Sequence, residues 1–384
     1  MIRDTETEQT IGFFANDIIS AAGLITTATK IQILLDPEIN AFVSAGQRIT
    51  ITTGLIQATE TPGQLMGVIA HEVAHIAGGH LARLKNALNK ANRTAQVSKF
   101  LGVALGAISG QANLANAFGA GGSHVAKRTL LKFSRTQEQS ADLAATRYLD
   151  MVKVSSRGML QFLKKLEDHS LLVQENTVPY QDTHPQTKDR ISFVENHLQQ
   201  SNYRGQTASP SSMLLHAKLV AKISAFTNPP SITLAKYSSS LELVPVKYAR
   251  AIAFFKKGEI IKSLNLVKSL IGDEPDNPFF YELMGQILFE NGRISEARNS
   301  YQRALELLPK APLIMIKLAH SMLELSDPHL LGTIKKLVTR AIQKDPKNHM
   351  AWHLLGTAYD RSGEPGLAAL ASAEYNLLLR RETT

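Results

Sequence analysis

The 384-residue sequence predicts a mainly helical α+β protein, in which a first domain with a small sheet precedes an all-α domain of helical repeats. Between residues 30 and 53, three short segments have the composition and turn boundaries of strands. After residue 244 the helical pattern is periodic. Pro275, Pro309 and Pro346 each end a helical hairpin, at spacings of 34 and 37 residues, and a fixed period of this length is typical of stacked helical repeats.

The composition is that of an ordinary globular protein. Hydrophobic residues make up 44% of the chain and charged residues 20%, which argues against disorder. The length allows two domains of ordinary size. We predict a first domain over 1–200, a linker with connecting helices over 201–243, and the repeat domain over 244–384.

The chain is basic, with a formal net charge of +9 and a pI near 9.5. Its lysines and arginines are scattered, and no basic helix with interleaved aromatic residues occurs, so we expect no nucleic-acid binding. An anionic membrane surface or acidic partners fit the excess charge. A role in solubility fits it equally well.

Cysteine is absent, which excludes thiol proteases, thiolate metal sites and disulfide bonds. The compartment stays open, because the start from Met1 to Thr10 is polar and lacks the apolar core of a signal peptide. Either the protein is cytoplasmic, or Met1 follows a removed signal and the protein is periplasmic.

The apolar stretch Phe100–Ile108 and the Gly/Ala/Asn-rich tract that follows it are too short to cross a bilayer, which takes about 20 apolar residues. Two interpretations of residues 100–122 stay open. They form a small-residue loop or helix packed over the first domain, or a mobile flap over its cleft that makes peripheral contact with a membrane.

Turn residues and periodicity place the elements of the first domain. The strand segments are Lys30–Leu35, Ala41–Ser44 and Arg48–Thr53. In the last segment Ile49 and Ile51 alternate with Thr50 and Thr52, which predicts a half-buried strand. The predicted helices are Asp4–Gly23, Pro62–His80, Gln137–Asp150, Ser155–Asp168 and Asp189–Leu198.

The helix predicted over Pro62–His80 contains the sequence HEVAH from His71 to His75. Four residues span about one helical turn, so His71 and His75 share a face and can bind one zinc ion. Glu72 stands next to the first ligand and can take a proton from a water activated by the metal. The motif can arise by chance, but its place in an apolar helix that follows a strand favours a functional site.

A third ligand decides the kind of site. On a continued helix His80 lies about 140° around the axis from His75, so we interpret it as a helix-end or packing residue. A carboxylate on a later helix is then required, and Glu138 supplies it, which leaves a fourth position open for water. Asp142, one turn later, is placed to accept the free N–H of a metal-bound histidine.

Taken alone, Glu138 and Asp142 fit an ordinary solvated helix face between Arg135 and Arg147. The HEVAH helix about 60 residues upstream favours the interpretation as a ligand and its partner.

The second domain resembles tetratricopeptide repeats. Small residues at set positions let paired helices touch, and aromatic residues fill the gaps between hairpins. The hairpin before Pro275 matches poorly, and the hairpin before Pro346 has about three extra residues around 326–328. The matching residues are Tyr281, Gly285, Ala297, Tyr301, Ala304, Ala341, Trp352, Leu355, Gly356, Tyr359 and Ala368. The resemblance implies a surface for protein partners.

The first domain resembles the metallopeptidase family of HtpX and the CAAX prenyl endopeptidases. The resemblance is carried by HEVAH, by EQSAD from Glu138 to Asp142, and by Thr183-His184-Pro185 with Arg190 following. Asn40-Ala41-Phe42 and Thr53-Gly54-Leu55 belong to the same resemblance, and the repeats are similar to those of the BepA-like branch of envelope proteases.

This resemblance implies a gluzincin-type domain with one zinc ion per chain, protein or peptide substrates, and quality control of outer-membrane proteins in the cell envelope. The residues it assigns are His71, His75 and Glu138 as metal ligands, Glu72 and Asp142 as catalytic residues, and Arg190 and Asn40 as supporting residues.

His184 has two interpretations. A lone histidine before a proline in a turn is usually structural. Alternatively, His184 folds back to the metal as a fourth ligand, fills the position of the water and switches the enzyme off.

Two functions therefore compete. The first is a zinc-dependent endopeptidase whose repeats recruit client proteins. The second is a latent or inactive metal-binding domain in a repeat-based chaperone or interaction protein. The ligand set discriminates between them, because a structural zinc site is closed by four protein ligands and a catalytic site keeps an open position.

Overall fold

The computed structural model describes residues 1–83, 86, 135–172, 184, 188–238 and 243–382. The chain divides into two compact units, and each is described by itself. The first unit holds Met1–Ile2 and Thr10–Val220, and the second holds Arg3–Gln9 and Ala221–Thr384. The domain bounds predicted from the sequence stay a prediction.

The elements predicted for the first part of the chain are present, and the α+β, mainly helical fold class is confirmed. In chain order the structure has α1 (Thr5–Ala21), β1 (Lys30–Leu34), β2 (Ala41–Ser44), β3 (Arg48–Thr52), α2 (Thr53–Ala58), α3 (Pro62–Ala77), α4 (135–151), α5 (Arg157–Leu172) and α6 (Lys188–Gln200). Helix α2 was not predicted.

The three strands form a mixed sheet in the order β1-β3-β2, with β3 parallel to β1 and antiparallel to β2. The prediction that β3 is half-buried was wrong, because β3 is the central strand and its residues Ile49–Thr52 are all buried. Thr52 tolerates this burial since its hydroxyl donates to the carbonyl oxygen of Glu38 at 2.6 Å. The hydroxyl oxygen of Thr52 in turn accepts the N–H of Leu55 and caps α2.

Helix α3 holds the HEVAH sequence. Thr61 caps its N-terminus by accepting a hydrogen bond from the N–H of Gln64, and Pro62 lies in the first turn. The helix ends at Ala77, earlier than predicted. The reason is Gly79, which takes a positive φ of 62° and so turns the chain away from the helical path.

Glycines bring α3 and α5 into close contact. A Cβ atom at Gly67 would lie 2.7 Å from the Cα atom of Met159. A Cβ atom at Gly158 would lie 2.2 Å from the carbonyl carbon of Gly63. No side chain fits at these distances, so the glycines allow the two backbones to approach and hold α3 in the core of the first unit.

After residue 201 the described chain is helical apart from its connections. Its helices include α7 (Pro210–Thr227), α8 (Pro230–Lys236), α9 (Val244–Lys256), α10 (Ile260–Asp273), α11 (Pro278–Glu290), α12 (Ile294–Leu307), α13 (Pro312–Glu324), α14 (Leu331–Lys344), α15 (His349–Arg361) and α16 (Pro365–Glu382).

The small positions of the repeats allow helices to touch. A Cβ atom at Gly285 on α11 would lie 2.6 Å from the ring of Tyr301 on α12, and Ala297 is fully buried. The extra residues of the hairpin before Pro346 form a turn at Ser326, with a φ of 54°, and the 3₁₀ helix Pro328–Leu330. The insertion is thereby confined to a connection, which leaves the packing of α13 on α14 intact.

The second unit buries a group of charged side chains. Lys222 Nζ lies 2.7 Å from Asp4 and 3.1 Å from Glu6, and Glu6 accepts a hydrogen bond of 2.6 Å from the hydroxyl of Tyr248. Burial would raise the pKa of Asp4, but Lys222 outweighs it and holds that pKa well below its usual value. These contacts fix the segment Arg3–Gln9 within the second unit.

Among the described ranges, no helix is both long enough and apolar enough to cross a membrane. Residues 100–122 lie outside the described residues, so both interpretations of that tract stay predictions.

Candidate metal centre

Four side chains from three parts of the chain meet at one place. His71 and His75 lie one turn apart on α3, Glu138 lies on α4, and His184 lies between α5 and α6. One ligand atom from each lies within 4.8 Å of the others. The structure therefore brings together the three predicted ligands and the alternative fourth ligand.

The distances within this group of four are those of direct contact. His71 Nε2 lies 3.0 Å from His75 Nε2 and 3.2 Å from His184 Nδ1. The oxygens of Glu138 lie 3.2 Å from His71 Nε2, 3.3 Å from His75 Nε2 and 3.2 Å from His184 Nδ1. Three ring nitrogens and one carboxylate thus point at a common centre.

The four side chains are arranged to bind a metal ion rather than to form hydrogen bonds with one another. A neutral imidazole has one donor and one acceptor nitrogen. Nε2 of His71 faces two other ring nitrogens and a carboxylate at once. Whichever nitrogens are protonated, two acceptors or two donors therefore oppose each other. A cation at the centre would bind the lone pairs of all these atoms and remove the conflict.

The pKa shifts of His75 and Glu138 favour the deprotonated forms that bind a metal, whereas that of His71 does not. Burial lowers the pKa of His75 to about 3. Burial would raise the pKa of Glu138, but His71 and the hydrogen bonds from the histidines hold that pKa well below its usual range. Burial would lower the pKa of His71, yet Glu138 and the hydrogen bond to Asp142 outweigh it and raise that pKa to about 9. Of these three groups, only His71 has to release a proton before it can bind a metal.

Asp142 and Arg190 support the ligands from the side away from their common centre. Asp142 Oδ1 lies 3.0 Å from His71 Nδ1. Arg190 donates to both oxygens of Asp142, at 2.7 and 2.9 Å, and its Nη1 lies 3.0 Å from Glu138. Arg190 is only 1% exposed. Such a bidentate contact fixes the carboxylate of Asp142, which in turn fixes the ring of His71.

Glu72 is fully buried beside His71. Within the described part of the chain, neither of its carboxylate oxygens has a hydrogen-bond partner, and His184 Nε2 lies 3.4 Å from Oε1. Burial raises the pKa of Glu72. A buried carboxylate without a hydrogen bond is costly, so Glu72 is arranged to meet a group that enters the site.

His80 is not one of the four, yet it touches one of them. Its Nδ1 lies 3.0 Å from His75 Nδ1, and its Nε2 lies 3.0 Å from the hydroxyl of Ser140 on α4. Neither contact was predicted from the sequence. The available signal was the pair Gly78-Gly79 before His80, since glycine at a helix end can turn the chain back.

Asn40 lies outside the group of four. Its N–H donates to the hydroxyl oxygen of Thr52 at 3.0 Å, and its carbonyl oxygen accepts the N–H of Thr52 at 3.0 Å. These bonds define the start of β2, and a supporting role of Asn40 in function stays a prediction. Thr183 and Pro185 lie outside the described residues.

A cavity of about 750 Å³ lies elsewhere in the first unit, against the first turns of α3 and α5. Its walls include Phe13, Thr61, Met66 and Arg157, and they include none of the four candidate ligands. We place the chemistry at the group of four, because reactive side chains in contact, rather than empty volume, define a catalytic site.

The site combines two histidines one helical turn apart, a carboxylate on a second helix and a buried glutamate beside them. These features define the protein as a metallopeptidase with helical repeats. Comparison with known families agrees. The profile of peptidase family M48 matches residues 6–198, and a TPR repeat profile matches residues 285–326. The chain belongs to peptidase family M48.

The most similar curated relatives include proteases. The beta-barrel assembly-enhancing protease of Yersinia pestis is 25% identical over 382 residues, which are 97% of this chain and 76% of the relative. The protein of the same name from Escherichia coli (strain K12) is 24% identical over 388 residues, which cover 100% of this chain and 76% of the relative. Mitochondrial metalloendopeptidase OMA1 of Schizosaccharomyces pombe is 26% identical over 50% of this chain and 53% of its own length.

Proposed function

We propose that this metallopeptidase is a zinc-dependent endopeptidase that cleaves peptide bonds of protein substrates. The observation that carries the proposal is the buried Glu72 carboxylate, which lacks a hydrogen-bond partner among the described residues and adjoins the group of four. A purely structural metal site would gain nothing from a buried carboxylate without hydrogen bonds at this position.

The donor set favours zinc. Magnesium and calcium prefer oxygen ligands, whereas two histidines and one carboxylate are a common ligand set of catalytic zinc. We assign His71, His75 and Glu138 as the ligands of one zinc ion per chain. When bound, zinc supplies a Lewis acid that polarises a peptide carbonyl and activates water.

Glu72 acts as the base. Its carboxylate accepts a proton from the attacking water and delivers it to the nitrogen of the leaving amine. Burial raises the pKa of Glu72, which helps the side chain to hold the proton between the two steps.

Asp142 and Arg190 act as positioning residues. Asp142 holds the ring of His71 through Nδ1, so that Nε2 faces the metal. Arg190 holds Asp142 and Glu138 together, which couples a ligand on α3 to a ligand on α4. Asn40, at the start of β2, supports the sheet beside α3.

The clients and the compartment follow from the relatives and the repeats. Tetratricopeptide repeats present surfaces for protein partners, and two relatives are named for the assembly of β-barrels. We therefore assign this protein to quality control of outer-membrane proteins in the periplasm. The net charge of +9 suits an anionic membrane surface, and we propose that the uncharged tract 100–122 makes peripheral contact with it.

His184 favours a second candidate function. Its Nδ1 lies within reach of His71 and Glu138, so the protein supplies four donors, as structural zinc sites do. A latent metal-binding domain in a repeat-based chaperone would have this ligand set. A resting enzyme that opens when His184 leaves would also have it.

The two functions differ in catalysis. We expect the purified chain to contain about one zinc ion and to cleave casein, and we expect a chelator to abolish cleavage until zinc is restored. Metal analysis by mass spectrometry and a fluorescent casein assay measure both. Zinc without cleavage, in the wild type and after the His184 substitution below, would favour the latent domain.

The substitution His184→Ala should raise basal cleavage severalfold while zinc stays bound. The reason is that three ligands remain, whereas the fourth position becomes available to water. His197→Ala is the matched control, because His197 lies in the same unit and contacts Asp150 instead of the metal centre. Unchanged or lower cleavage in His184→Ala, with full zinc content, would show that His184 is not a switch.

A further inference from the structure

Nδ1 of His75 contacts His80, a residue that the proposed function does not use. If His75 binds zinc through Nε2, which faces His71 and Glu138, its Nδ1 must carry the hydrogen. That N–H needs an acceptor, because the ring is largely buried. The atom that faces it is Nδ1 of His80, at 3.0 Å.

The hydrogen bonds around His80 form a series in which each residue donates to the next one. As an acceptor at Nδ1, His80 carries its own hydrogen on Nε2 and donates it to the hydroxyl of Ser140 at 3.0 Å. Ser140 then donates its hydroxyl hydrogen to the carbonyl oxygen of Gln137 at 3.2 Å. His80 and Ser140 each accept once and donate once, so the tautomers of both histidines are determined by their neighbours.

The backbone holds His80 in this place. Gly79 takes a positive φ of 62°, which turns the chain after α3 so that the ring of His80 meets the ring of His75 edge-on, with centroids 4.8 Å apart. The side chain of Gln137 donates to the carbonyl oxygen of His80 at 2.9 Å. His80 is only 5% exposed, so water does not compete freely for its nitrogens.

The same contacts connect the two helices that supply the ligands. His75 lies on α3, whereas Gln137 and Ser140 lie on α4 on either side of Glu138. His71 has the charged partner Asp142, and His75 has the neutral partner His80. Metal-bound histidines generally donate their second N–H to such an outer partner, and its loss typically weakens metal binding about 10–100-fold.

We infer that His80 is a positioning residue, which accepts the Nδ1–H of His75 and so directs Nε2 of His75 to the metal. Its bond to Ser140 sets the tautomer that makes this possible and aligns α3 with the helix of Glu138. The inference rests on the proposed zinc site. It does not make His80 a ligand or a residue that touches substrate.

Amide substitutions separate the two ring nitrogens of His80. In His80→Asn the amide lies near the place of Nδ1 and can still accept the hydrogen of His75. In His80→Gln the amide lies near the place of Nε2, so the contact with Ser140 is kept and the contact with His75 is lost. His80→Ala loses both contacts, and Ser140→Ala loses only the outer one.

The experiment measures zinc dissociation into a chromogenic chelator and the visible absorption of the cobalt-substituted full-length protein. We expect dissociation to be about 10–100-fold faster in His80→Ala and His80→Gln than in the wild type, with a shifted cobalt spectrum. His80→Asn should stay close to the wild type, and Ser140→Ala should lie between. His197→Ala, which loses a contact to Asp150, controls for a general loss of stability.

The order of the zinc dissociation rates among the variants tests the inference. A role in packing alone would affect His80→Asn at least as much as His80→Gln, because asparagine fills less of the space, and that order would overturn the inference. Equal dissociation in all variants would overturn it as well. If the wild type itself binds no zinc or cobalt, the proposed zinc site fails, which this measurement distinguishes from a failure of the role of His80.

Discussion

Glu72→Gln is expected to lower peptide hydrolysis by roughly 10²–10⁴-fold, the usual contribution of a general base, while the zinc content stays at the wild-type level. The substitution preserves the shape of a fully buried side chain but removes its ability to accept a proton. His71, His75 and Glu138 are untouched, so metal binding and chemistry separate. Casein cleavage and metal analysis on the same sample test both parts.

A conservative change at an exposed glutamate serves as the control. Glu195 on α6 pairs with Lys164 at the surface, where its side chain is 46% exposed, and Glu195→Gln should leave both readouts unchanged. Cleavage by Glu72→Gln near the wild-type rate would mean that another group takes the proton. Loss of zinc from the same variant would mean that Glu72 supports the ligands instead.

The local structure of the site could be predicted from the sequence. The Thr61-Pro62 start, the apolar periodicity and the one-turn spacing of His71 and His75 are properties of a single helix, and local physics determines them. The same holds for Asp142, one turn after Glu138. Since both pairs depend only on helical geometry, no knowledge of the tertiary structure was needed.

The meeting of α3 with α4 could not be predicted in this way. Glu138 and Asp142 fit an ordinary exposed helix face, and nothing local shows that Glu138 is 3% exposed and Asp142 is 0% exposed. Arg190 on α6 contacts both buried carboxylates. The need for a third ligand and the resemblance to a family suggested the pairing of the two helices, whereas the contacts themselves join residues far apart in the chain.

His80 shows where helical geometry misleads. The angle of about 140° from His75 assumes that α3 continues, but α3 ends at Ala77 and Gly79 adopts a left-handed conformation. The chain therefore returns the ring of His80 to His75, where an intact helix would have directed it elsewhere. A glycine pair can end a helix in several ways, so the sequence alone does not distinguish them.

The central strand shows a similar limit. The alternation of isoleucine and threonine in β3 predicts that one face of the strand is exposed to solvent, yet Thr50 and Thr52 are both 1% exposed. A threonine can be buried when its hydroxyl forms a hydrogen bond, and Thr52 donates its hydroxyl hydrogen to the carbonyl oxygen of Glu38. The polarity of a residue type therefore does not decide which face of a strand is covered.

Glu138→Gln is expected to weaken zinc binding by more than the 10–100-fold typical of a lost outer partner, because it removes the negative charge of a direct ligand. His71, His75 and Arg190 all contact this carboxylate, at 3.2, 3.3 and 3.0 Å. A neutral amide offers one oxygen and opposes the nearby donors with its NH₂ group. Competition with a chelator of known affinity measures the change.

Two further variants make this result specific to the ligand. Gln139→Ala alters the next, exposed residue of α4 and should bind zinc like the wild type. Glu138→Asp keeps the charge on a shorter side chain, so its affinity should fall between the wild type and Glu138→Gln. Circular dichroism should show the repeats folded in all of them, since Glu138 belongs to the first unit and the repeats belong to the second. Full zinc content in Glu138→Gln would disprove the assignment, because it would leave His184 as the third ligand and Glu138 as a partner of Arg190 alone.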